Sequence, residues 1–243
     1  MDRFFLSPEQ WGQAPALTGD EAHHCCRVMR KKDGDQVLVF DGRGREGEAR
    51  IAKVSKNEVE LEILSTTDSK APGPEIEIAV GIPKGKSFDL ILQKAVEMGV
   101  TRIQPLMSDQ GNVRFKDGEG KAKRGKWQRA VLEACKQCGQ NFLPEVAEPM
   151  GVDGYLQEQQ PGFAKFVGAL TPEARNFRSL LGEVAGAGRV VLLIGPEGDF
   201  STGEYERIFE AGFTPVTLGD LVLRTETAVF WMVAAVRYQF QES

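Results

Sequence analysis

Two short runs near the C-terminal end of this chain carry the residue types that chemistry needs. One is Val190–Ser201 (VVLLIGPEGDFS) and the other is Leu218–Ala228 (LGDLVLRTETA). In the first, an unbroken apolar strand runs into Gly195-Pro196-Glu197-Gly198, and glycine, having no Cβ, lets a ligand approach the backbone. In the second, Leu218, Gly219, Leu221, Val222 and Leu223 offer aliphatic walls and free backbone groups ahead of Arg224 and Glu226. Apolar faces beside amide edges suit an adenine-bearing cofactor. Neither run contains G-x-G-x-x-G, which disfavours a Rossmann dinucleotide site. Ser201 and Glu204 form a capping box for the helix between the runs, and Thr225 or Thr227 is expected to cap the last helix, with Glu226 held near Arg224.

A second candidate lies upstream. Gly81–Ser87 (GIPKGKS) sits between strand and helix as a P-loop does, but G-x-x-x-x-G-K-[ST] would need glycine where Val80 stands, and Pro83 removes an amide. A nucleotide triphosphate site is therefore disfavoured, while Lys84 and Lys86 remain at a strand end, placed to meet a phosphate. Charge supports that reading. The chain carries a net −5, yet residues 84–141 hold 12 basic and 6 acidic side chains, a local excess that responds to nucleic acid. On the helices there, Lys94 lies beside Glu97, and Arg129, Glu133 and Gln137 share a face. Lys116–Lys126 reads as a Gly- and Lys-rich mobile loop.

The four cysteines, Cys25, Cys26, Cys135 and Cys138, stand near His23 and His24 but lack zinc-site spacing, so they are expected to be reduced thiols and no metal is implied. No run approaches the ~18 apolar residues of a membrane span, and the N-terminus shows no secretory pattern. The chain reads as cytoplasmic.

Two kinds of rhythm must position these groups. Residues 1–70 alternate with a period of two in short segments (3–6, 36–42, 46–54 and 58–65), which predicts a small β-barrel-like module. One helix, Thr18–Met29, interrupts it, with Thr18 and Glu21 as a capping box and a basic cluster of Arg27, Arg30, Lys31 and Lys32 at its far end. A Pro- and Gly-rich linker follows at 71–74. From Glu75 onward strands at 75–82, 100–106, 163–170 and 189–195 alternate with helices at Ser87–Met98, Trp127–Cys138 and Pro172–Glu183, which predicts an α/β domain over 75–243 with a mainly parallel sheet.

Taken together, RFF at 3–5, HHCCRVMR at 23–30, LILQKAVEMGVTRIQPL at 90–106, EACKQCGQN at 133–141, IGPEGDFS and LGDLVLRTETA resemble the SPOUT (α/β-knot) methyltransferases, and within them the ribosomal RNA small subunit methyltransferase E family. These segments span nearly the whole chain, and the C-terminal pair is the most specific. The resemblance implies a PUA-like RNA-binding barrel, a C-terminal domain with a deep trefoil knot, S-adenosylmethionine as cofactor and a homodimer. It implies methylation of N3 of one uridine in 16S rRNA near the decoding centre, on the assembled small subunit. Cofactor contacts then fall on Leu170, Thr171, Leu193, Gly195, Pro196, Glu197, Gly198, Leu218, Gly219, Leu223, Arg224 and Thr227. Glu226 is the expected base or orienting group, with Arg224 stabilising the developing anion and Glu197 as the alternative base. RNA contacts are expected at Arg3, His24, Arg27, Arg30, Lys84, Lys86, Lys94, Arg129 and Gln137. The chain departs from the family pattern at Gln140, where arginine is usual, and at Asp199, where glycine is usual.

Overall fold

The computed structural model describes every residue except Gln13, Pro72, Asp117, Gln160, Val184, Ala185 and 241–243. Pro72 of the expected linker and Asp117 of the expected basic loop therefore lie outside the described residues. The chain forms two compact units, Met1–Ala71 with Leu132–Leu143, and Pro72–Val131 with Pro144–Ser243.

The first unit contains β1 (Arg3–Phe5), β2 (Ala16–Thr18), α1 (Gly19–His23), β3 (Gln36–Phe40), β4 (Arg45–Val54) and β5 (Glu58–Asp68). Its sheet runs β1-β3-β4-β5-β2, with β1 parallel to β3 and every other pair antiparallel. The period-two pattern turns Val37, Val39, Val59 and Leu61 to the face that also buries Phe4, Leu17 and Ile51. Register breaks along β4, after Glu48 and after Ile51, increase its bend and twist. The α-helix is shorter than the sequence predicts and continues as a π-helical turn, His24–Val28. Thr18 stands at its N-cap without a side-chain cap; its hydroxyl accepts the Gln10 amide at 3.1 Å, while the Glu21 carboxylate accepts the Phe5 backbone N–H at 2.9 Å and pairs with Lys136.

The second unit contains β6 (Glu75–Gly81), α2 (Ser87–Glu97), β7 (Arg102–Met107), α3 (Glu119–Cys138, whose end belongs to the first unit), β8 (Glu145–Val146) and β9 (Met150–Gly151). It continues with α4 (Val152–Gln157), β10 (Ala164–Gly168), β11 (Arg175–Asn176), α5 (Phe177–Glu183), β12 (Arg189–Ile194), α6 (Thr202–Glu210), β13 (Thr214–Thr217) and α7 (Thr225–Gln239). The sheet order is β11-β13-β10-β12-β6-β7-β8, with β9 also on β7, and every pairing is parallel. A parallel sheet must be covered on both faces, which is why β12 reads as a continuous apolar run from Val190 to Ile194, and β6 does so from Ile78 onward. Val191 and Leu193 face the cluster containing Tyr155, Phe200, Tyr205 and Ile208. The alternate residues, Val190, Leu192 and Ile194, are equally buried, and α7 packs on β6 and β12 with Val229, Met232, Val233 and Val236 inward.

The polar exception in this core is satisfied. Glu77 of β6 accepts the Tyr155 hydroxyl at 2.8 Å and pairs with Arg189 and Arg102, so a buried carboxylate keeps its partners. Burial first, and the Glu77 charge second, hold the Tyr155 phenol well above its ordinary pKa.

Two elements differ from expectation. The third helix begins at Glu119 rather than Trp127, taking in most of the stretch expected to be a mobile loop; its Lys, Ala, Arg and Glu residues favour helix strongly enough to carry Gly120 and Gly125. The helix expected from Pro172 begins only at Phe177, because Arg175 and Asn176 pair with β13. No helix among the described residues is long and apolar enough to cross a membrane.

Candidate functional site

Because β10, β12 and β13 are parallel and adjacent to one another through β10, their C-terminal ends lie on one edge of the sheet, where α/β folds gather ligands. The loops that leave those ends enclose a cavity of about 290 Å³. One wall is Ala169 and Leu170 after β10, another Gly195, Pro196 and Glu197 after β12, and the third Leu218 through Arg224 after β13, except Asp220. Leu170, Leu221 and Val222 are strongly exposed for aliphatic residues, so the cavity mouth is apolar.

The loops are brought together by close backbone approach. A Cβ on Gly81 would stand 2.4 Å from Pro196, so only glycine at the end of β6 admits the loop after β12. Gly219 has φ +119°, a conformation open to glycine that turns the third loop back over the cavity. Thr225, which is buried, donates its hydroxyl to the Gly195 carbonyl at 3.1 Å, tying the first residue of α7 to the loop after β12. That bond displaces the expected cap: Arg224 occupies the N-cap position of α7 with no side-chain cap, and neither Thr225 nor Thr227 fills it.

A fourth loop, absent from the sequence reading, supports the second. The Asp109 backbone N–H donates to Glu204 at 2.9 Å, Ser201 donates to Asp109 at 3.2 Å, and Gly198 packs on the Gln110 backbone. Arg114 holds this loop in shape by donating to the carbonyls of Asp109, Gly111 and Val113. Short polar loops of this kind carry no sequence signal beyond their turn residues. The capping box of Ser201 and Glu204 forms as expected.

The charged groups on the cavity are Glu197, Asp199 and Arg224. Glu197 is exposed, and one of its oxygens accepts the Lys84 backbone N–H at 3.0 Å. Arg224 is exposed, and it forms no ion pair with Glu226 among the described residues. Glu226 is half-buried on α7 and does not line the cavity. Of the residues expected to hold a cofactor, Leu170, Gly195, Pro196, Glu197, Leu218, Gly219, Leu223 and Arg224 line the cavity, while Gly198, Thr171 and Thr227 do not. The Thr171 hydroxyl is buried with no hydrogen-bond partner. Leu193 stands apart: it is fully buried in the core under the sheet, because strand alternation turns it away from the cavity edge. Val216 and Ala228, which lie outside the expected cofactor contacts, complete the apolar lining with Ile194.

The expected RNA contacts divide in the same way. Lys84, Lys86 and Arg129 are exposed, and Gln137 is exposed near the end of α3. Lys94 is engaged with Glu97 at 2.8 Å. In the first unit, Arg27 joins His23, Lys31 and Lys56 around a separate hollow, and Arg30 is exposed. Arg3 is not available to RNA. It is buried beneath the Phe40 ring and donates to the carbonyls of Cys135 and Gln140 at 2.8 and 3.1 Å, to Asn141, and to Glu46 at 3.1 Å. His24 packs edge-on against Phe4, with Nδ1 buried and without a partner, so that nitrogen faces the protein rather than solvent.

Comparison with known proteins gives this arrangement its class. Residues 70–237 match the family model of the RNA methyltransferase domain, and residues 17–64 match that of the RNA methyltransferase PUA domain. The fold and the strand-end cavity are thus those of an RNA methyltransferase with a PUA-like N-terminal domain. The ribosomal RNA small subunit methyltransferase E of Bacillus subtilis is 31% identical, over 98% of this chain and 97% of its own. The crystal structure of ribosomal RNA small subunit methyltransferase E from Neisseria gonorrhoeae, bound to S-adenosyl methionine, is 33% identical with a TM-score of 0.87, covering 99% of this chain and 98% of its own. A Legionella pneumophila protein in complex with the same cofactor is 30% identical with a TM-score of 0.88, covering 98% and 97%. The chain belongs to the ribosomal RNA small subunit methyltransferase E family.

Proposed function

We propose that this protein transfers a methyl group from S-adenosylmethionine to N3 of one uridine in 16S rRNA, near the decoding centre and on the assembled small subunit, in the cytoplasm. The observation that carries the reading is the cavity at the ends of β10, β12 and β13, with aliphatic walls, glycine-exposed backbone and Glu197 and Arg224 at its rim. That composition fits the cofactor: apolar faces for adenine, backbone groups for its edge, and charged groups for the amino-acid end. Leu170, Gly195, Pro196, Leu218, Gly219 and Leu223 would hold it. The cofactor supplies an activated methyl group on a sulfonium, so the protein's work is alignment and removal of one proton.

Uracil N3–H is weakly acidic and faces its pairing partner in a duplex, so the base must leave the stack. In our reading Arg224, exposed at the rim, stabilises the imide anion as it develops. Glu197 takes the N3 proton, since it lines the cavity and keeps one oxygen free of protein donors, and Glu226 orients the helix start from outside the lining. Lys84, Lys86, Arg129 and Gln137, with Arg27 and Arg30 of the PUA-like domain, contact RNA; their exposure and the basic excess of residues 84–141 support this. The reading takes 1–70 as the RNA-binding barrel, 71–74 as linker and 75–243 as the methyltransferase domain with the trefoil knot that goes with the family. It also includes a homodimer, supported by Leu90 of α2 and Trp231 and Tyr238 of α7, large apolar side chains left exposed on helices that pack together.

The test is mass spectrometry of 16S rRNA from a strain lacking the gene, together with methylation of isolated small subunits and of naked rRNA. Loss of a single 3-methyluridine, restored on assembled subunits, is expected. An unchanged nucleoside profile would sink the activity, and equal methylation of naked rRNA would sink the choice of substrate.

A further inference from the structure

Asp199 stands where backbone geometry favours glycine. Its φ is +60°, a conformation that costs an L-residue of order 1 kcal/mol, least for Asn and Asp. Three hydrogen bonds hold it there. Its own N–H donates to the Pro196 carbonyl at 2.9 Å, and its Oδ1 accepts the Phe200 N–H at 2.8 Å and the Tyr205 hydroxyl at 2.7 Å. Asp199 does not cap α6, since Ser201 does. The carboxylate lies against the cavity wall: a Cβ on Gly195 would stand 2.8 Å from Oδ1, and both residues line the cavity. No group among the described residues donates to Oδ2. Tyr205 is a dependable donor, because burial, followed by the hydrogen bond to Asp199, raises its phenol far above the physiological range.

We infer that Asp199 selects ligands by charge in the cofactor cavity, its carboxylate favouring the cationic sulfonium donor over the neutral thioether that remains after methyl transfer. The inference rests on the S-adenosylmethionine reading above. The two ligands share nearly every atom and differ by one methyl group and one positive charge, so apolar walls and backbone amides bind both alike. Only a fixed charge in a partly enclosed site separates them strongly. Glu197 is exposed and more fully screened by solvent, and Arg224 has the wrong sign. Asp199 is half-buried and anchored at Oδ1 with Oδ2 free of protein donors. The consequence is weaker retention of product and faster emptying of the cavity.

Calorimetry on the whole chain with S-adenosylmethionine and with S-adenosylhomocysteine tests it. Asp199→Asn keeps the shape and removes the charge; it should weaken S-adenosylmethionine binding by about five-fold and S-adenosylhomocysteine binding by less than about two-fold. Asp199→Gly suits the positive φ but leaves the Phe200 N–H and the Tyr205 hydroxyl without their acceptor, so it should show the same change in ratio with lowered thermal stability. Tyr205→Phe, which leaves the carboxylate, should weaken both ligands by a similar factor. If both Asp199 variants weaken the two ligands equally, or neither, the residue only shapes the loop and the inference fails. If the unaltered protein binds neither ligand, the cofactor reading itself fails, an outcome distinct from an unchanged ratio.

Discussion

Two arginines, Arg3 in the PUA-like domain and Arg224 beside the cavity, look alike in the sequence: each is a lone cation in a motif of the family. Folding gives them opposite roles. Arg3 is buried, stacked under Phe40, with its donors spent on two backbone carbonyls, Asn141 and Glu46. Arg224 is exposed on the cavity with no side-chain hydrogen bond or ion pair among the described residues. A guanidinium whose geometry is satisfied by protein is a structural bolt, while one with free donors facing a cavity is available to a ligand. Burial draws the Arg3 pKa down, with Glu46 opposing.

The sharpest break of this comparison is Arg224→Ala. Methylation should fall by about 10²–10³-fold, as when one charge-stabilising donor is removed. Its unfolding free energy in urea should stay within about 0.5 kcal/mol of the parent, as for an unpaired surface group. Arg3→Ala should do the reverse. Losing a buried cation leaves several acceptors unpaired and costs about 3 kcal/mol in urea unfolding, with methylation by the folded fraction unchanged. If Arg3→Ala instead kept full stability and lost RNA affinity in a filter-binding assay, the division between bolt and ligand contact would be wrong.

A smaller effect separates the two carboxylates. Glu197→Gln should slow single-turnover methylation at saturating cofactor by about 10²-fold, whereas Glu226→Gln should slow it by less than about ten-fold. The opposite order would return the proton to Glu226.

A last effect is a pH dependence in the first unit, which holds both Cys25 and Cys135. Burial pushes the Cys25 and Cys135 thiols from their ordinary 9.0 up to about 12. Unfolding frees them to ionise near 9, so the unfolded chain holds fewer protons between pH 9 and 12 and stability falls as pH rises through that window. Urea titrations should show this decline beginning between pH 9 and 10, and a Cys25→Ala, Cys135→Ala double variant should flatten it. An equal slope in the variant would assign the decline to other groups.

Much of the scaffold was legible. Alternation in β3, β4 and β5 and the apolar run of β12 follow from how many faces each strand must bury. The Ser201 and Glu204 capping box is a local device, closed within one turn, and so could be read locally. The cap of α7 was not, because Thr225 found a partner thirty residues away at Gly195. The start of α3 was missed where glycines masked strong helix formers, and the capping box of α1 did not form because Thr18 found Gln10 while Glu21 found Phe5 and Lys136.

Sequence alone determined the kind of chemistry: glycine loops at strand ends, an arginine and carboxylates beside them, and a basic middle within an acidic chain, all set by residue type and spacing. Tertiary structure decided which of those residues face the cavity. Leu193 went to the core because strand alternation is strict, Arg3 because acceptors distant in sequence surrounded it, and Asp199 came to the cavity wall because Tyr205 and Phe200 hold it there. A side chain's type is local, but its exposure and its partners are properties of the whole fold.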